Sequence, residues 1–294
     1  MSMEANNISK IYPGNIYANK GISFQLNKHE CMGIVGPNGS GKTTLVRQIL
    51  KVLKPTEGDI TIDGKHDYLD RISYVPQVSV LYSEMTVSEN IDVAMRFQGI
   101  GKKERKARLR EVLELTGLDT IEKRMAYTLS GGQKKLVGLA CALVIQKEYL
   151  ILDEPTSMVD IVTKERIWKI INLCKKTSGI LLASHDMDEV KRVSEKLLIL
   201  KEGTSLFSGE VSDIGSGLCI CKAVVENSEM AVKIGNEMGV CVSVGNYLDN
   251  HIKVTAATDK NMFEFIKRVS EKTTIISENI EYPAFYEGVM NYVK

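Results

Sequence analysis

The first two thirds of the chain alternate short apolar runs with amphipathic stretches, a pattern typical of an α/β sheet with helices on its faces. The apolar runs predict buried strands at residues 31–35, 60–62, 72–75, 149–152, 179–184 and 197–200. The amphipathic stretches predict helices at 42–52, 86–97 and 102–116, and a further helix after Gly131. We expect Gly58-Asp59 and Asp63-Gly64 to form turns on either side of the 60–62 strand.

A different order of elements begins near Ser212. The pattern there predicts a strand (219–225), a helix (228–238), two strands (240–246 and 250–256), a helix (259–269) and a strand (273–280). This βαββαβ order is that of ferredoxin-like domains. We therefore expect an α/β domain over 1–212 and a small α+β domain over 213–294, which begins with a linker over 213–217 and ends in a short helix near 283–293.

The composition excludes several classes of protein. The 38 Lys+Arg residues nearly balance the 37 Asp+Glu residues, which argues against a dedicated nucleic-acid-binding protein. No apolar run approaches the roughly 20 residues of a membrane helix, and the N-terminus lacks the apolar core of a signal peptide. The six cysteines are scattered apart from Cys219-x-Cys221, so reduced thiols are favoured over a metal site. We expect a cytoplasmic chain with no nucleic-acid partner.

Residues 36–43 read GPNGSGKT and match the P-loop pattern G-x-x-x-x-G-K-[ST] between a predicted strand and a predicted helix. The glycines let backbone N–H groups turn towards phosphate oxygens, and the helix N-terminus adds positive potential at the same place. Lys42 supplies a charge for the β- and γ-phosphates, and Thr43 supplies a hydroxyl for Mg²⁺. The pattern therefore predicts a nucleoside triphosphate site.

Two carboxylates, Asp153 and Glu154, directly follow the apolar run at 149–152. An apolar run that ends in Asp-Glu is often a strand that reaches solvent. In a chain with a P-loop, however, the pair has a functional interpretation, which we favour. Asp153 is expected to hold Mg²⁺ through water, and Glu154 is expected to polarise an attacking water molecule as a general base.

A second glycine-rich segment, LSGGQ at 129–133, opens the helix after Gly131. Ser130 is expected at the N-cap, so that bare amides of the first turn face outward as a second anion site. One P-loop already binds the phosphates of one nucleotide. The sequence therefore resembles the ABC (ATP-binding cassette) ATPase family, whose signature motif is LSGGQ. In that family two cassettes face each other, and the signature motif of one closes over the nucleotide held by the other.

The resemblance implies roles for residues outside these motifs. Gln77 is similar to the Q-loop glutamine, and His185 is similar to the switch histidine that bonds the γ-phosphate. Asp160 resembles the D-loop aspartate, although Met158-Val159 departs from the more usual Gly-Leu or Ala-Leu before it. Tyr12 resembles the aromatic side chain that stacks on adenine, and Tyr17 is near enough to be the alternative.

The same resemblance implies ATP as the nucleotide and Mg²⁺ as its metal. The nucleotide-binding residues are then Tyr12, Gly36, Pro37, Asn38, Gly39, Ser40, Gly41, Lys42, Thr43 and Thr44. The metal ligands are Thr43, Gln77 and Asp153, and the catalytic residues are Lys42, Gln77, Glu154 and His185. The nucleotide of the partner cassette meets Ser130, Gly131, Gly132 and Gln133.

One cassette with no membrane span implies a dimer of cassettes, homomeric or heteromeric, and a separate polytopic membrane permease. Within the cassette, the family's helical subdomain corresponds to about 78–146. The stretch at 82–90 and the added C-terminal domain resemble the ABC-2 type exporters. We therefore expect an ATPase, peripheral on the cytoplasmic face of the cell membrane, that powers transport of a solute, with export as the favoured direction.

Two other interpretations are open at this point. A soluble ABC ATPase of translation or DNA maintenance is disfavoured, since translation-type members usually carry two cassettes in one chain. Ser130 follows Lys42 by only 88 residues, which leaves no room for the long coiled coil of DNA-repair members. Separately, the domain over 213–294 is either a regulatory module or a dimerisation surface, and the sequence does not distinguish the two.

Overall fold

The computed structural model describes residues 1–214, 219–245, 250–256, 259–281, 289–290 and 292. The chain divides into two compact units, with the boundary between Val211 and Ser212. The end of the expected linker at 213–217 and most of the expected helix at 283–293 lie outside the described residues. None of the described helices is long and apolar enough to cross a membrane.

An antiparallel sheet forms the N-terminal part of the first unit. Strands β1 (Ser2–Tyr12), β2 (Ile16–Asn27) and β4 (Glu57–Ile62) pair in the order β2-β1-β4. The hydrophobic pattern did not predict β1 and β2, because three register shifts in their pairing interrupt the strict alternation of buried and exposed positions. Pairing between strands therefore overrides the local pattern here.

The expected turn at Gly58-Asp59 is wrong, because both residues lie within β4. Gly58 has a φ of +77°, and a Cβ atom there would lie 2.3 Å from the carbonyl oxygen of Asn6 on β1. The glycine thus permits the register shift in the β1–β4 pairing rather than a chain reversal. The expected turn at Asp63-Gly64 is confirmed.

The central sheet of the first unit has six strands in the order β5-β6-β7-β3-β8-β9. They are β3 (Cys31–Val35), β5 (Ile72–Val75), β6 (Tyr149–Asp153), β7 (Gly179–Ala183), β8 (Lys196–Lys201) and β9 (Thr204–Glu210). All neighbours pair in parallel except β8 and β9. Every residue of β3, β6 and β7 is buried, as expected for parallel strands covered on both faces.

The register of the parallel strands brings their carboxyl ends to one level. Ile34 near the end of β3 pairs with Ala183 at the end of β7, and Ala183 pairs with Asp153 at the end of β6. On the other side of β6, Val75 at the end of β5 pairs with Leu152. The loops that follow these four adjacent strands therefore emerge together at one edge, where open α/β sheets commonly bind ligands.

Six helices complete the first unit: α1 (Lys42–Ile49), α2 (Val87–Phe97), α3 (Lys102–Thr116), α4 (Gly131–Leu143), α5 (Ile161–Cys174) and α6 (Met187–Val193). Helix α1 buries Leu45, Val46 and Ile49 in a hydrophobic core that side chains of both sheets share. It ends three residues earlier than expected, since Lys51 takes a left-handed backbone conformation. Helices α2, α3 and α4 pack against one another.

The described residues of the second unit contain a four-stranded antiparallel sheet and two helices, of 11 and 12 residues. Its elements are β10 (Cys219–Val225), α7 (Ser228–Met238), β11 (Cys241–Val244), β12 (His251–Ala256), α8 (Asp259–Ser270) and β13 (Ile275–Glu281). The spatial order β11-β12-β10-β13 is the ferredoxin-like arrangement expected from the βαββαβ pattern. It encloses its own core, which includes Cys221, Val254 and Phe265.

A buried carboxyl group supports the loop that follows β7. Glu189 of α6 is fully buried, and its oxygens accept hydrogen bonds from Ser184 Oγ (2.6 Å) and Trp168 Nε1 (3.3 Å). The Ser184 hydroxyl in turn accepts a hydrogen bond from the backbone N–H of Asp186 (3.0 Å). Burial raises the pKa of Glu189 to about 7, although its hydrogen bonds oppose the shift. The folded protein therefore keeps the Glu189 proton to a higher pH than the unfolded chain does.

Replacing this carboxyl group changes how stability depends on pH. The folded state binds the Glu189 proton more tightly than the unfolded chain, so this stabilisation is complete below about pH 4.5 and is lost as the pH rises through about 7. When the pH rises from 5 to 7.5, the free energy of unfolding of wild type is expected to fall by about 2 kcal/mol more than that of the Glu189→Gln variant. Urea denaturation at both pH values measures the difference.

The control for this measurement is Asp188→Asn, which alters an exposed carboxylate on the same helix. It is expected to follow the wild-type pH dependence. Parallel curves for wild type and Glu189→Gln would show that the folded protein does not hold this proton more tightly.

Candidate functional site

At two positions in the loop between β3 and α1, the backbone leaves room for no residue larger than glycine. A Cβ atom on Gly36 would lie 2.2 Å from the carbonyl oxygen of Leu200. At Gly41 the φ is +103°, and a Cβ atom would lie 2.4 Å from the carbonyl oxygen of Ala18. These glycines therefore allow the loop to wrap closely against β2 and β8, with its first helical amides at the carboxyl end of β3.

Lys42 is held inside this loop. Its Nζ donates hydrogen bonds to the backbone oxygens of Gly36 (2.7 Å) and Pro37 (3.1 Å), and only 7% of the residue is exposed. Burial lowers the pKa of Lys42, and the negative charges of Glu154 and Asp153 oppose that shift. The loop thus presents a positioned cation beside two carboxylates.

A cavity of about 210 Å³ opens in front of the loop. Its lining residues are Ala18, Asn38, Gly39, Ser40, Gly41, Lys42, Thr43, Thr44, Gln77 and Glu154. The buried Ser40 hydroxyl has no hydrogen-bond partner among the described residues, so the cradle contains an unsatisfied polar group. Backbone amides, hydroxyls and an ammonium group around one small concavity are a donor set suited to phosphate oxygens.

Asn19 of β2 supports the loop from behind, a role that no motif in the sequence indicated. Its side chain is fully buried and donates a hydrogen bond from Nδ2 to the carbonyl oxygen of Gly41 (3.2 Å). A second tie comes from the β8–β9 turn, where the N–H of Gly203 donates to the carbonyl oxygen of Ser40 (3.1 Å). Two strands distant in sequence therefore hold the start of α1.

The two carboxylates at the end of β6 differ in their surroundings. Asp153 is 3% exposed, and its pKa is raised by burial and by the adjacent charge of Glu154, while Lys42 lowers it. Glu154 has a φ of +51°, a left-handed conformation that is unusual for a residue other than glycine. Its N–H donates to the carbonyl oxygen of Ala183 on β7 (2.8 Å), which directs its side chain into the cavity.

His185 contacts Glu154 directly. Its Nδ1 lies 2.6 Å from Oε2 of Glu154, and 61% of its side chain is exposed. The loop after β7 thus brings an imidazole to the carboxylate at the end of β6. The pair can hold a proton between them and leaves the second ring nitrogen of His185 for another group.

Gln77 reaches the cavity from the loop after β5 and is exposed. The structure therefore brings together at one edge four of the predicted groups: the P-loop, the two carboxylates, His185 and Gln77. Among the described residues there is no cluster of three or more His, Cys, Asp and Glu side chains that could hold a metal. The oxygen donors at or beside the cavity include the Thr43 hydroxyl, the Gln77 amide and the Asp153 carboxylate.

The LSGGQ segment does not line this cavity. As expected, Ser130 is the N-cap of α4: its Oγ accepts the N–H of Gln133 (3.2 Å), and the Gln133 side chain accepts the N–H of Ser130 (3.0 Å). Gly131 is exposed, and a Cβ atom on it would meet no neighbour within 4 Å. The segment is therefore a capped helix start that does not line the P-loop cavity of its own chain.

The remaining predicted residues lie outside the cavity as well. Tyr12 and Tyr17 are both 42% exposed, at the end of the β1–β2 hairpin. Asp160 caps α5, where its carboxylate accepts hydrogen bonds from the N–H (2.9 Å) and the hydroxyl (2.8 Å) of Thr163. These hydrogen bonds lower the pKa of Asp160.

Comparison with known proteins identifies the family. The family model described as "ABC transporter" matches residues 19–157. The chain is 35% identical to the uncharacterised ABC transporter ATP-binding protein YxlF of Bacillus subtilis, over 66% of each chain. It is 33% identical to the Nod factor export ATP-binding protein I of Rhizobium etli, over 76% of this chain and 72% of that one.

A solved structure agrees with these relatives. A dimeric, post-hydrolysis state of an ATP-binding cassette, bound to ADP and Pi, superposes with a TM-score of 0.64 at 28% identity. The superposition covers 71% of this chain and 98% of that cassette. With the P-loop and the two carboxylates inside the matched region, and with a curated relative matched over most of its length, the chain belongs to the ABC transporter ATP-binding protein family.

Proposed function

We propose that this chain is the ATP-binding and ATP-hydrolysing subunit of an ABC transporter, and that it powers solute transport through a separate membrane subunit. The observation that carries the proposal is the convergence of the P-loop, Glu154 and Gln77 on one cavity. A cradle for phosphates, a buried cation and a carboxylate beside it are the parts that phosphoryl transfer to water requires. The family to which the chain belongs supports the same function.

In this proposal Glu154 is the general base. Its carboxylate accepts a proton from the water that attacks the γ-phosphate, while Lys42 and the loop amides stabilise the charge that develops on the phosphoryl oxygens. His185, 2.6 Å from Glu154, orients the carboxylate and offers its free ring nitrogen to the γ-phosphate. Gln77 follows β5 and His185 follows β7, so the two residues lie on opposite sides of Glu154, which follows β6. In this proposal Gln77 responds to the γ-phosphate and links the site to the membrane partner.

Thr43, Gln77 and Asp153 would hold Mg²⁺ beside the phosphates. The donors fit this metal, because each offers an oxygen and Mg²⁺ is usually held by one or two carboxylates together with substrate phosphates and water. Asp153 and Glu154 are adjacent and buried, and their repulsion contributes to the raised pKa of Asp153, so a nearby dication would favour the ionised form. When bound, Mg²⁺ would neutralise phosphate charge.

The working unit in this proposal is a dimer, homomeric or heteromeric. Ser130, Gly131, Gly132 and Gln133 lie outside their own cavity, and a helix start with free amides is suited to the γ-phosphate held by a partner P-loop. The similarity to a cassette solved as a dimer with ADP and Pi supports this arrangement. Asp160 then lies in the D-loop between the two sites.

For the adenine contact we infer Tyr12 rather than Tyr17. Lys10 pairs with Asn19, but Ile11 pairs with Tyr17, so β2 carries one extra residue between these pairs. Tyr12 is two residues from Lys10 on β1 and therefore shares its face, which is also the face of Asn19 and the side that contacts the P-loop. The extra residue in β2 reverses the alternation there and turns Tyr17 to the other face. Each ring also lies beneath a lysine, with Lys10 Nζ 5.6 Å from the ring centre of Tyr12 and Lys20 Nζ 5.3 Å from that of Tyr17, so this contact does not distinguish the two.

We further propose that the transporter is an exporter and that this chain sits on the cytoplasmic face of the cell membrane. The similarity to a Nod factor export protein over most of that relative supports the direction. We assign residues 1–212 to the cassette, with its helical subdomain at about 78–146, and residues 213–294 to an accessory domain. The second unit's separate core supports an independent regulatory or dimerisation role.

Replacing the base tests the hydrolytic mechanism. Glu154→Gln removes the proton acceptor but keeps the side-chain volume, so turnover is expected to fall about 100-fold or more. Because ATP then persists, the variant is expected to accumulate as an ATP-bound dimer, measured as a doubled mass on size exclusion with light scattering. Glu57→Gln, an exposed change on β4, is the control and should behave as wild type. A Glu154→Gln chain that stays monomeric in ATP, or that hydrolyses ATP at the wild-type rate, contradicts the proposal.

Removing the metal tests the oxygen donors. Excess EDTA is expected to lower ATP turnover at least about 100-fold, because the phosphate charge is then uncompensated, and added Mg²⁺ is expected to restore it. Asp153→Asn should lose the Mg²⁺ dependence of nucleotide affinity, measured by calorimetry with and without the metal. Unchanged turnover in EDTA would exclude a metal-dependent site.

Isolation of the tagged chain from detergent-solubilised membranes tests the transport role. Mass spectrometry is expected to find a polytopic membrane protein in fixed ratio to the chain. The untagged chain, carried through the same procedure, is the control. Recovery of ribosomal or DNA-bound proteins with nothing from the membrane would support the alternative of a soluble ABC ATPase instead.

A further inference from the structure

Lys135, in the second turn of α4, joins three segments of the first unit. Its Nζ donates hydrogen bonds to the backbone oxygen of Gln77, to the backbone oxygen of Glu154 (2.8 Å) and to Ser157 Oγ (3.2 Å). An ammonium group has three N–H donors and no acceptor, so these contacts use all of them. No sequence motif pointed to this residue.

The acceptors of Lys135 all belong to the chain's own ATP site or border it. Gln77 lines the P-loop cavity, and Glu154 carries the proposed base. Ser157 Oγ also donates to the Glu154 carbonyl (3.0 Å), so the lysine and the serine hold the same oxygen from two directions. That carbonyl follows the left-handed backbone of Glu154 and also accepts a hydrogen bond from the Ser157 N–H (3.3 Å). These three hydrogen bonds help to keep the peptide in its orientation.

Lys135 itself lies on the helix that we assign to the ATP site of the partner. It lies on the helix whose first turn carries Ser130, Gly131 and Gly132, the segment that we assign to the partner's nucleotide. The side chain is half-buried, and its charge is attracted by Asp153 and Glu154. The Lys135 ammonium group makes stronger hydrogen bonds than a neutral donor would. Because it is attached to α4, it moves with that helix.

We propose that Lys135 is a positioning residue that couples the chain's own ATP site to the signature segment it presents to its partner. This inference rests on the proposed function. Movement of Gln77 or Glu154 when ATP binds is passed through Lys135 to α4, and movement of α4 when the partner's nucleotide is engaged returns by the same path. Coupling of this kind is reciprocal, so it adds cooperativity between the two ATP sites of a dimer.

The test compares three variants of the full-length chain. Lys135→Met removes the donors but keeps an unbranched side chain, Lys135→Arg keeps donors, and Lys134→Met makes the same change one residue earlier. The Lys134 side chain makes no hydrogen bond or ion pair with the described residues, which suits it as the control. Measured for each are ADP affinity by calorimetry, ATP turnover against ATP concentration, and thermal unfolding.

For Lys135→Met we expect ADP affinity within about twofold of wild type, because the P-loop contacts are intact, but turnover lower by about tenfold or more. We also expect its Hill coefficient for ATP to fall towards 1. Lys135→Arg should recover most of both losses, and Lys134→Met should match wild type. A residue that only braces the fold would lower the unfolding temperature without changing the Hill coefficient.

Two results would overturn the inference. One is a Lys135→Met chain whose turnover and Hill coefficient equal those of wild type. The other is a parallel loss of ADP affinity and turnover, which would place the lysine's effect within its own site. Should Lys135→Met fail to fold, Ser157→Ala removes one acceptor without a change of charge, and an unaltered Hill coefficient in that variant overturns the inference.

Failure of the proposed function looks different. The proposed function is overturned if the folded wild-type chain does not hydrolyse ATP and the Glu154→Gln variant does not dimerise in ATP. The coupling inference then fails with it. If wild type hydrolyses ATP and the Glu154→Gln variant dimerises, but Lys135→Met keeps the wild-type turnover and Hill coefficient, only the coupling inference is overturned.

Discussion

The parallel register of β5, β6, β7 and β3 is the constraint on which the site depends. Because Val75, Asp153, Ala183 and Ile34 lie at nearly one level across four adjacent strands, the segments that follow them leave the sheet together. Each segment contributes a different kind of group: an amide, a pair of carboxylates, an imidazole and a phosphate cradle. A shift of one strand by one residue would move its loop by about 3.3 Å, more than the length of any hydrogen bond in the site.

Side chains of opposite charge lie close together in the site. Lys42 and Lys135 lie near Asp153 and Glu154, and burial lowers the pKa of each lysine while it raises that of Asp153. Mutual attraction between the two pairs opposes these shifts. ATP would add several negative charges beside the two carboxylates, so further positive charge is required. In the proposed function, the donors near Asp153 would hold a metal, and α4 of a partner would provide a helix start.

Much of this arrangement could be predicted from the sequence, because the elements that position the site have strong local signals. The strand at 31–35, the helix at 102–116 and the Ser130 N-cap follow from apolar runs, amphipathic spacing and capping chemistry, and the structure confirms them. The β1–β2 hairpin escaped prediction because its bulges break the alternation. Gly58-Asp59 predicted a turn because glycine and aspartate are common turn residues, whereas the glycine lies at a register shift within β4. Asn19 and Lys135 act through partners far along the chain, and a single sequence carries no local mark of such contacts.

The left-handed backbone of Glu154 sets the stability of the folded chain against its catalytic activity at one position. A non-glycine residue in that conformation costs on the order of 1 kcal/mol, and the surrounding hydrogen bonds hold it there. Glycine or asparagine would adopt the same backbone with less strain, yet neither provides a carboxylate. With Glu154 as the proposed general base, selection for heat resistance and selection for turnover therefore favour different residues at this position. A library of this chain sorted only by thermal tolerance would enrich proteins that are well folded and catalytically inert.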